Sequence, residues 1–163
     1  MERLWAPWRM QYITGQPENG CVFCVKPRED NDAENLILLR GKCAFIILNA
    51  FPYNNGHLLI APYRHVADLS ALTEEEQLEI LKLTTLGCEL LKATVSPHGF
   101  NVGINLGQTA GAGIADHLHV HIVPRWNGDT NFMPVLADVK VLPEALASTY
   151  RALKAELDRS KRE

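Results

Sequence analysis

Apolar positions along the chain recur with a period of two in several short stretches and with the 3.6 period of a helix in one long one. Positions 36–40 are mostly apolar, Gly41-Lys42 interrupts, and 43–49 resume the pattern, which predicts a β-hairpin. Phe51-Pro52-Tyr53-Asn54-Asn55-Gly56 is dense in turn residues, and 57–62 follows as a third strand ended by Pro62. Tyr63-Arg64-His65 reads as a loop. The long helix starts from Thr73 as N-cap, with Glu76 three residues on as a capping box. Glu74 and Glu75 favour the positive end of its dipole. Leu78, Leu81, Thr85, Cys88 and Leu91 follow helical spacing, and Ile80, Leu83, Leu86 and Leu90 widen that face, so Cys88 is expected in the core. Ser96-Pro97-His98-Gly99 stops the helix and leaves His98 as a surface turn residue.

Residues 100–106 alternate as a fourth strand. The run 117–123 is read as a fifth, with His117, His119 and His121 on one face and Leu118, Val120 and Ile122 directed into a core. Neighbours on such a face sit roughly 6.7 Å apart, from a rise of about 3.3–3.4 Å per residue. Asn127-Gly128-Asp129 is a turn, 139–142 a short strand, and Pro143 a good first residue for an amphipathic helix over about 144–158. Five strands with a long helix before the fourth predict an α+β fold: a five-stranded antiparallel sheet, one long central helix and a C-terminal helix.

Composition narrows the function. A chain of 163 residues, 47% hydrophobic and 21% charged, suits one globular domain. A net charge of −3 is not the basic footprint of a nucleic-acid binder. No apolar run approaches the roughly 18 residues of a membrane span. The opening Met1-Glu2-Arg3-Leu4-Trp5 lacks a charged-then-apolar signal pattern, so a cytoplasmic protein is expected, with its four cysteines as reduced thiols or ligands.

Trp5, Pro7, Trp8, Arg9 and Tyr12 suggest an arm that docks on the domain or on a second subunit, or packs on its own core. Cys21-Val22-Phe23-Cys24 is half a zinc site or a redox pair. A redox pair belongs at a helix N-terminus after a strand; this one follows a turn-like segment, which favours metal. Residues 26–35 are charged and turn-like. Half of the chain's six histidines lie within five residues, and imidazole is the side chain most easily set as base, acid, nucleophile or ligand near neutral pH. Three glycines within 107–113 lead into that run, and such a loop can turn successive N–H groups onto an anion.

The run His117-Leu118-His119-Val120-His121-Ile122-Val123 resembles the H-φ-H-φ-H-φ-φ signature of the histidine-triad (HIT) superfamily of nucleotide hydrolases and transferases. Gly56-His57-Leu58-Leu59-Ile60-Ala61-Pro62 resembles that family's upstream strand. Leu4-Trp5-Ala6-Pro7-Trp8-Arg9, the Cys21/Cys24 pair and the block 105–126 look like the bacterial branch related to diadenosine tetraphosphate phosphorylases. The resemblance implies a single HIT-like domain over 1–163, with an N-terminal arm (1–35), a catalytic core (36–126) and a C-terminal extension (127–163). It further implies a homodimer whose two sheets join, with nucleotide phosphates bound against the histidine strand.

The family's middle histidine is the nucleophile, which here is His119, and its central position favours the same choice. Its Nε2 would attack the α-phosphorus while Nδ1–H is held by a backbone carbonyl. The resemblance gives His121 a role on a phosphate oxygen or the leaving group, and His57 an orienting role beside the nucleophile. Asn49 matches a ribose-side position and Asn105 a phosphate-side position, and the loop 108–114, with Gln108, Gly113 and Ile114, would supply donors to developing charge. Zinc-bearing relatives use positions that match Cys21, Cys24, His65 and His117, which would form a closed, structural Cys₂His₂ zinc site.

The expected activity is cleavage of dinucleoside polyphosphates at the α-phosphate through a nucleotidyl-His119, with water or phosphate as acceptor. The alternatives are hydrolysis of adenosine phosphoramidates or aminoacyl adenylates, and a non-catalytic nucleotide-binding module whose histidines serve only a metal. Three evenly spaced histidines on a strand are poorly placed to meet one tetrahedral ion, which counts against the last.

Overall fold

Five short strands, rich in β-branched and aromatic residues, pair into one antiparallel sheet in the computed structural model, which describes residues 20–114, 116–129 and 144–162. The strands are β1 (Ile37–Arg40), β2 (Ala44–Leu48), β3 (Leu58–Pro62), β4 (Gly99–Ile104) and β5 (Val120–Arg125), in the spatial order β1-β2-β3-β5-β4. Among the described residues four α-helices accompany them: α1 (Val22–Val25), α2 (Asp32–Asn35), α3 (Glu74–Val95) and α4 (Leu146–Ser160). The expected α+β architecture is therefore present. The single-turn α2 stands where the sequence reads as charged turn, and the single-turn α1 carries the C-x-x-C pair, with Cys21 as its N-cap. The tryptophan arm and the expected strand at 139–142 lie outside the described residues. No described helix is long and apolar enough to cross a membrane.

The larger core lies between one sheet face and the helices α3 and α4, and includes Ile46, Leu58, Ile60, Ile80, Leu83, Leu91, Ile122 and Leu153. The opposite face carries a smaller cluster of Phe23, Ile37, Phe45, Ile47, Leu59 and Ala61. Period two assigns His57 and His121 to this second face, because Leu58 and Ile122 occupy the helix side. α3 crosses the sheet at Gly87, where a Cβ would come within 2.8 Å of the Ile122 side chain.

α3 buries part of the expected apolar face, Ile80, Leu83, Leu90 and Leu91, and leaves Leu78 and Leu81 of that face outside. Ile80, Leu83, Thr84, Gly87, Leu90 and Leu91 face the sheet, whereas Leu78 and Leu81 are 54% and 64% exposed. Cys88 is half-buried at the margin of the core. The helix carries more apolar surface than one sheet face covers, so spacing alone could not tell the inward stripe from the outward one.

The two sheet edges are treated differently. At β1, α4 covers the edge: Tyr150 Oη donates to the Ile37 carbonyl at 2.9 Å and Lys154 Nζ to the Leu38 carbonyl at 3.0 Å. At the other end, β4 leaves Val102 half exposed on the same face as Phe100 and Ile104.

Thr73 and Glu76 form the capping box read from the sequence. Glu76 also accepts two bonds from Arg64, at 2.7 and 2.6 Å, and this pairing holds its carboxyl down at about 2. A carboxylate with a depressed pKa contributes stability above its ordinary 4.5, and that stability is lost as pH falls through about 2. Arg64 is half exposed, so screening reduces the effect to on the order of 1–2 kcal/mol. Glu76→Gln should lower Tm at pH 7 by roughly 2–8 °C. Thermal melts across pH should show the gap to the parent narrowing below pH 4.5; a gap independent of pH would contradict this account.

Candidate functional site

The fifth strand begins at Val120, three residues later than its apolar alternation suggests. Its ladder with β3 runs Leu58↔Ile122, Leu59↔His121 and Ile60↔Val120. β3 then ends at Pro62, which has no N–H to extend the pairing. The preceding residues bond elsewhere: Leu118 N–H donates to the Val66 carbonyl at 2.7 Å, and the Pro62 carbonyl takes a bond from the His117 ring at 2.9 Å. His117 and His119 are thus fully or almost fully buried beside the strand rather than within it.

His117 faces a cluster brought together from three segments. Its Nδ1 lies 3.3 Å from Cys21 Sγ, 3.6 Å from Cys24 Sγ and 3.2 Å from His65 Nδ1, and His65 Nδ1 is 3.3 Å from Cys24 Sγ. All four ligand atoms lie within 4.8 Å of one another. Zinc–ligand bonds of about 2.0–2.3 Å at tetrahedral angles would space ligand atoms by about 3.3–3.8 Å, so the donor set fits such an ion. Because Nε2–H of His117 donates to Pro62, its Nδ1 presents a lone pair to the cluster, the usual outer-shell device for a metal-binding histidine. These four residues could hold a metal. Burial pushes the Cys21 thiol up, so a metal ion must displace its proton to bind.

His119 is only 3% exposed. Its Nδ1–H donates to the His117 carbonyl at 2.8 Å, which leaves the lone pair on Nε2. The tautomers of the other pair follow from a chain of donors. The Tyr53 N–H donates to His57 Nδ1 at 3.1 Å, and Asn49 Nδ2 lies 3.2 Å from the same nitrogen. The proton of neutral His57 is then on Nε2, which faces His121 Nδ1 at 3.0 Å. His121 consequently carries its own proton on Nε2, and that buried nitrogen has no partner among the described residues. A free lone pair on one ring and a donor N–H on the next stand side by side, with ring centroids 4.7 Å apart.

The loop that supplies Tyr53 is pinned from behind. Gly56 adopts φ +75°, a left-handed turn immediately before His57, and a Cβ there would meet Leu91 at 2.8 Å. Asn54 Nδ2 donates to the Pro124 carbonyl at 3.0 Å and to Asp129 at 2.9 Å, and Asp129 in turn accepts from Arg125. The Tyr53 ring stacks on His121 at 5.8 Å and 12°.

Burial pushes both His119 and His121 below the ordinary histidine value of 6.5, His121 to about 4 with help from neighbouring His119. His119 therefore stays neutral to below 6.5, and His121 to about 4. If the neutral rings are the active forms, the acid limb of kcat/KM should fall below pH 6.5. A pH–rate profile with that limb at or above 6.5 would count against this prediction.

Asn49 adjoins His57, and its Oδ1 accepts the Phe51 N–H at 3.0 Å. Asn105 is half-buried just beyond β4, Gln108 and Gly113 are exposed, and Ile114 packs against the Phe23 cluster. Within the loop, the N–H groups of Ala110, Gly111 and Ala112 turn back onto the carbonyls of Gly107 and Gln108, at 3.0–3.4 Å. Those three are thus not available as an anion cradle in this conformation. His98 is the surface turn residue expected, its Nδ1 accepting the Asn127 N–H. Two residues that sequence reasoning passes over stand in the site: Tyr53, counted there only as part of a turn, and Phe23, enclosed between the two cysteines. Nothing in the linear pattern distinguishes either ring from ordinary core.

A five-stranded antiparallel sheet with a cluster of buried histidines on the face opposite its long helix defines a class of proteins by fold and site. The chain belongs to the HIT domain family, whose pattern matches residues 30–128. It is 42% identical over 164 residues to a protein of Mycobacterium tuberculosis named AP-4-A phosphorylase, covering 96% of this chain and 84% of that protein. It is 33% identical over 137 residues to an adenosine 5'-monophosphoramidase of Schizosaccharomyces pombe, covering 84% of this chain and 98% of that protein. Among solved structures it resembles a zinc-bound histidine triad family protein from Mycobacterium smegmatis, with a TM-score of 0.70 and 25% identity over 87% of this chain and 96% of that one.

Proposed function

We propose that the chain is a nucleotidyl transferase acting on dinucleoside polyphosphates. The observation that carries this reading is the pair of matched tautomers, a buried lone pair on His119 Nε2 beside a donor on His121 Nε2 that meets no acceptor among the described residues. In the first step the lone pair of His119 Nε2 forms a bond to the α-phosphorus. The bond from phosphorus to the bridging oxygen breaks, and the leaving polyphosphate takes its electron pair. His121 Nε2–H hydrogen-bonds an oxygen on which negative charge grows. In the second step an oxygen of the acceptor attacks phosphorus, the N–P bond breaks, and its electron pair returns to Nε2. Asn49 and Asn105 are assigned to the ribose and phosphate sides, and the loop with Gln108, Gly113 and Ile114 to the substrate-binding contacts beside the histidines.

The name of the mycobacterial relative supports phosphate as the acceptor. A labelled diadenosine tetraphosphate turned over with and without inorganic phosphate tests this directly. Labelled ADP that requires added phosphate is expected; release of AMP alone would mean that water is the acceptor. The name of the yeast relative favours a second reading, hydrolysis of an adenosine phosphoramidate by the same two steps. A preference for that substrate over diadenosine tetraphosphate would decide for it.

Zinc is the ion we assign to Cys21, Cys24, His65 and His117. Two thiolates and two imidazoles suit it, and a zinc-bound relative supports the choice. When bound it would tie α1 to the segment that carries His119. A thiolate-ligated ion is in keeping with a reducing, cytoplasmic setting.

A homodimer would use the surface that one copy leaves uncovered. Leu78 and Leu81 on α3, and Val102 on β4, which pairs with no second strand among the described residues, are each at least half exposed. A second copy could pair β4 with β4 and cover this apolar margin. Light scattering should find a dimer, and Leu81→Glu combined with Val102→Arg should yield a folded monomer. A monomeric parent would refute the assignment.

A further inference from the structure

Phe23 occupies the space between the metal cluster and His119. Its ring centroid is 4.8 Å from that of His119, 5.3 Å from His117 and 6.4 Å from Phe45. It is almost fully buried, in the small cluster on the histidine side of the sheet. The segment around it is one tight turn: the Cys21 carbonyl accepts the N–H groups of Cys24 and Val25 at 2.9 and 3.0 Å. Both cysteine sulfurs approach His117, so the backbone of Phe23 is set between two ligand positions.

The His119 ring is restrained from two directions. The hydrogen bond from Nδ1 to the His117 carbonyl fixes the ring along its edge but leaves it free to rock about that bond. Phe23 lies against that motion, its ring 4.8 Å away and tilted 44°, while the His121 ring stands 4.7 Å off. Both restraints lead back to the same cluster, one through the backbone of His117 and the other through the turn between Cys21 and Cys24. We propose that Phe23 is a positioning residue that holds the His119 ring at the angle for attack and couples the metal-binding turn to the reacting nitrogen. This rests on the reading of His119 as the nucleophile. The step it serves is the one in which Nε2 forms its bond to phosphorus as the P–O bond breaks. A misplacement on the order of 1 Å at such a step costs about 10²-fold in rate.

Two variants separate positioning from simple packing. Phe23→Leu keeps an apolar side chain in the cluster and removes the flat ring; Phe23→Ala removes both. Phe23→Leu is expected to keep its bound zinc and to melt close to the parent. It should lower kcat about tenfold, with KM changed by less than about threefold. Phe23→Ala should fall by roughly 10²-fold in kcat. Nitrogen-15 NMR of labelled histidine should show the Nδ1–H signal of His119 broadened in both variants, where a merely structural residue would leave it unchanged. If Phe23→Ala loses its metal or fails to fold, Phe23→Leu alone decides. A metal-loaded Phe23→Leu with parental kcat and an unaltered His119 signal would overturn the proposal. Mapping the covalent nucleotide label on the parent enzyme tests the nucleophile separately. A label away from His119 would refute that reading whatever the Phe23 variants do.

Discussion

His119→Ala is expected to abolish the covalent nucleotidyl-enzyme and to lower kcat by about 10⁴–10⁶, the scale seen when a nucleophile is removed. The reason is specific to the hydrogen bonding. His117 Nδ1 faces the sulfur cluster and its Nε2 is engaged by Pro62, so neither nitrogen is free to attack. His121 carries a proton on Nε2 and receives one at Nδ1, so it can donate but has no lone pair facing outward. Of the three rings, only His119 keeps a lone pair on Nε2. His121→Ala removes a donor and should cost less, roughly 10²–10⁴. Nucleotide binding should survive in His119→Ala, since the proposed contacts at Asn49 and Asn105 do not involve the attacking nitrogen. Quenching a labelled substrate without acid and mapping the modified peptide measures this. Label on His117 or His121, or activity retained in His119→Ala, would overturn the mechanism.

Loss of the metal should give the second large effect. Cys24→Ser is expected to bind much less than one zinc per chain and to melt lower than the parent. A ligand held at a thousandfold above its Kd contributes about 4 kcal/mol, so Tm should fall by roughly 8–16 °C. Activity should fall as well, because the cluster holds His117, whose carbonyl orients His119, and the turn that carries Phe23. Stripping zinc from the parent with a chelator should reproduce both losses, and readdition should restore them. The same chelator should leave Cys24→Ser unchanged. Full activity and an unchanged Tm after verified metal removal would show that the cluster does neither job.

The sequence by itself determined the class of fold. Alternation marks the strands, and the box Thr73/Glu76 marks the start of the long helix, because both depend on neighbours a few residues apart. It also named the chemistry: three alternating histidines, a C-x-x-C pair and His65 are residue types that can be read without coordinates. Tertiary structure decided what those residues do. Pro62 ends the ladder early and gives its carbonyl to His117, which turns that ring toward Cys21 and Cys24, more than 90 residues away in the chain. Which stripe of α3 faces inward was settled by the sheet beneath Gly87, since an apolar helix face has the same spacing whether it meets a sheet or solvent. The protonated nitrogen of His121 depends on the Tyr53 N–H, two bonds away through His57. Hydrogen positions on imidazoles follow from partners brought together only by folding, and local sequence carries no record of them.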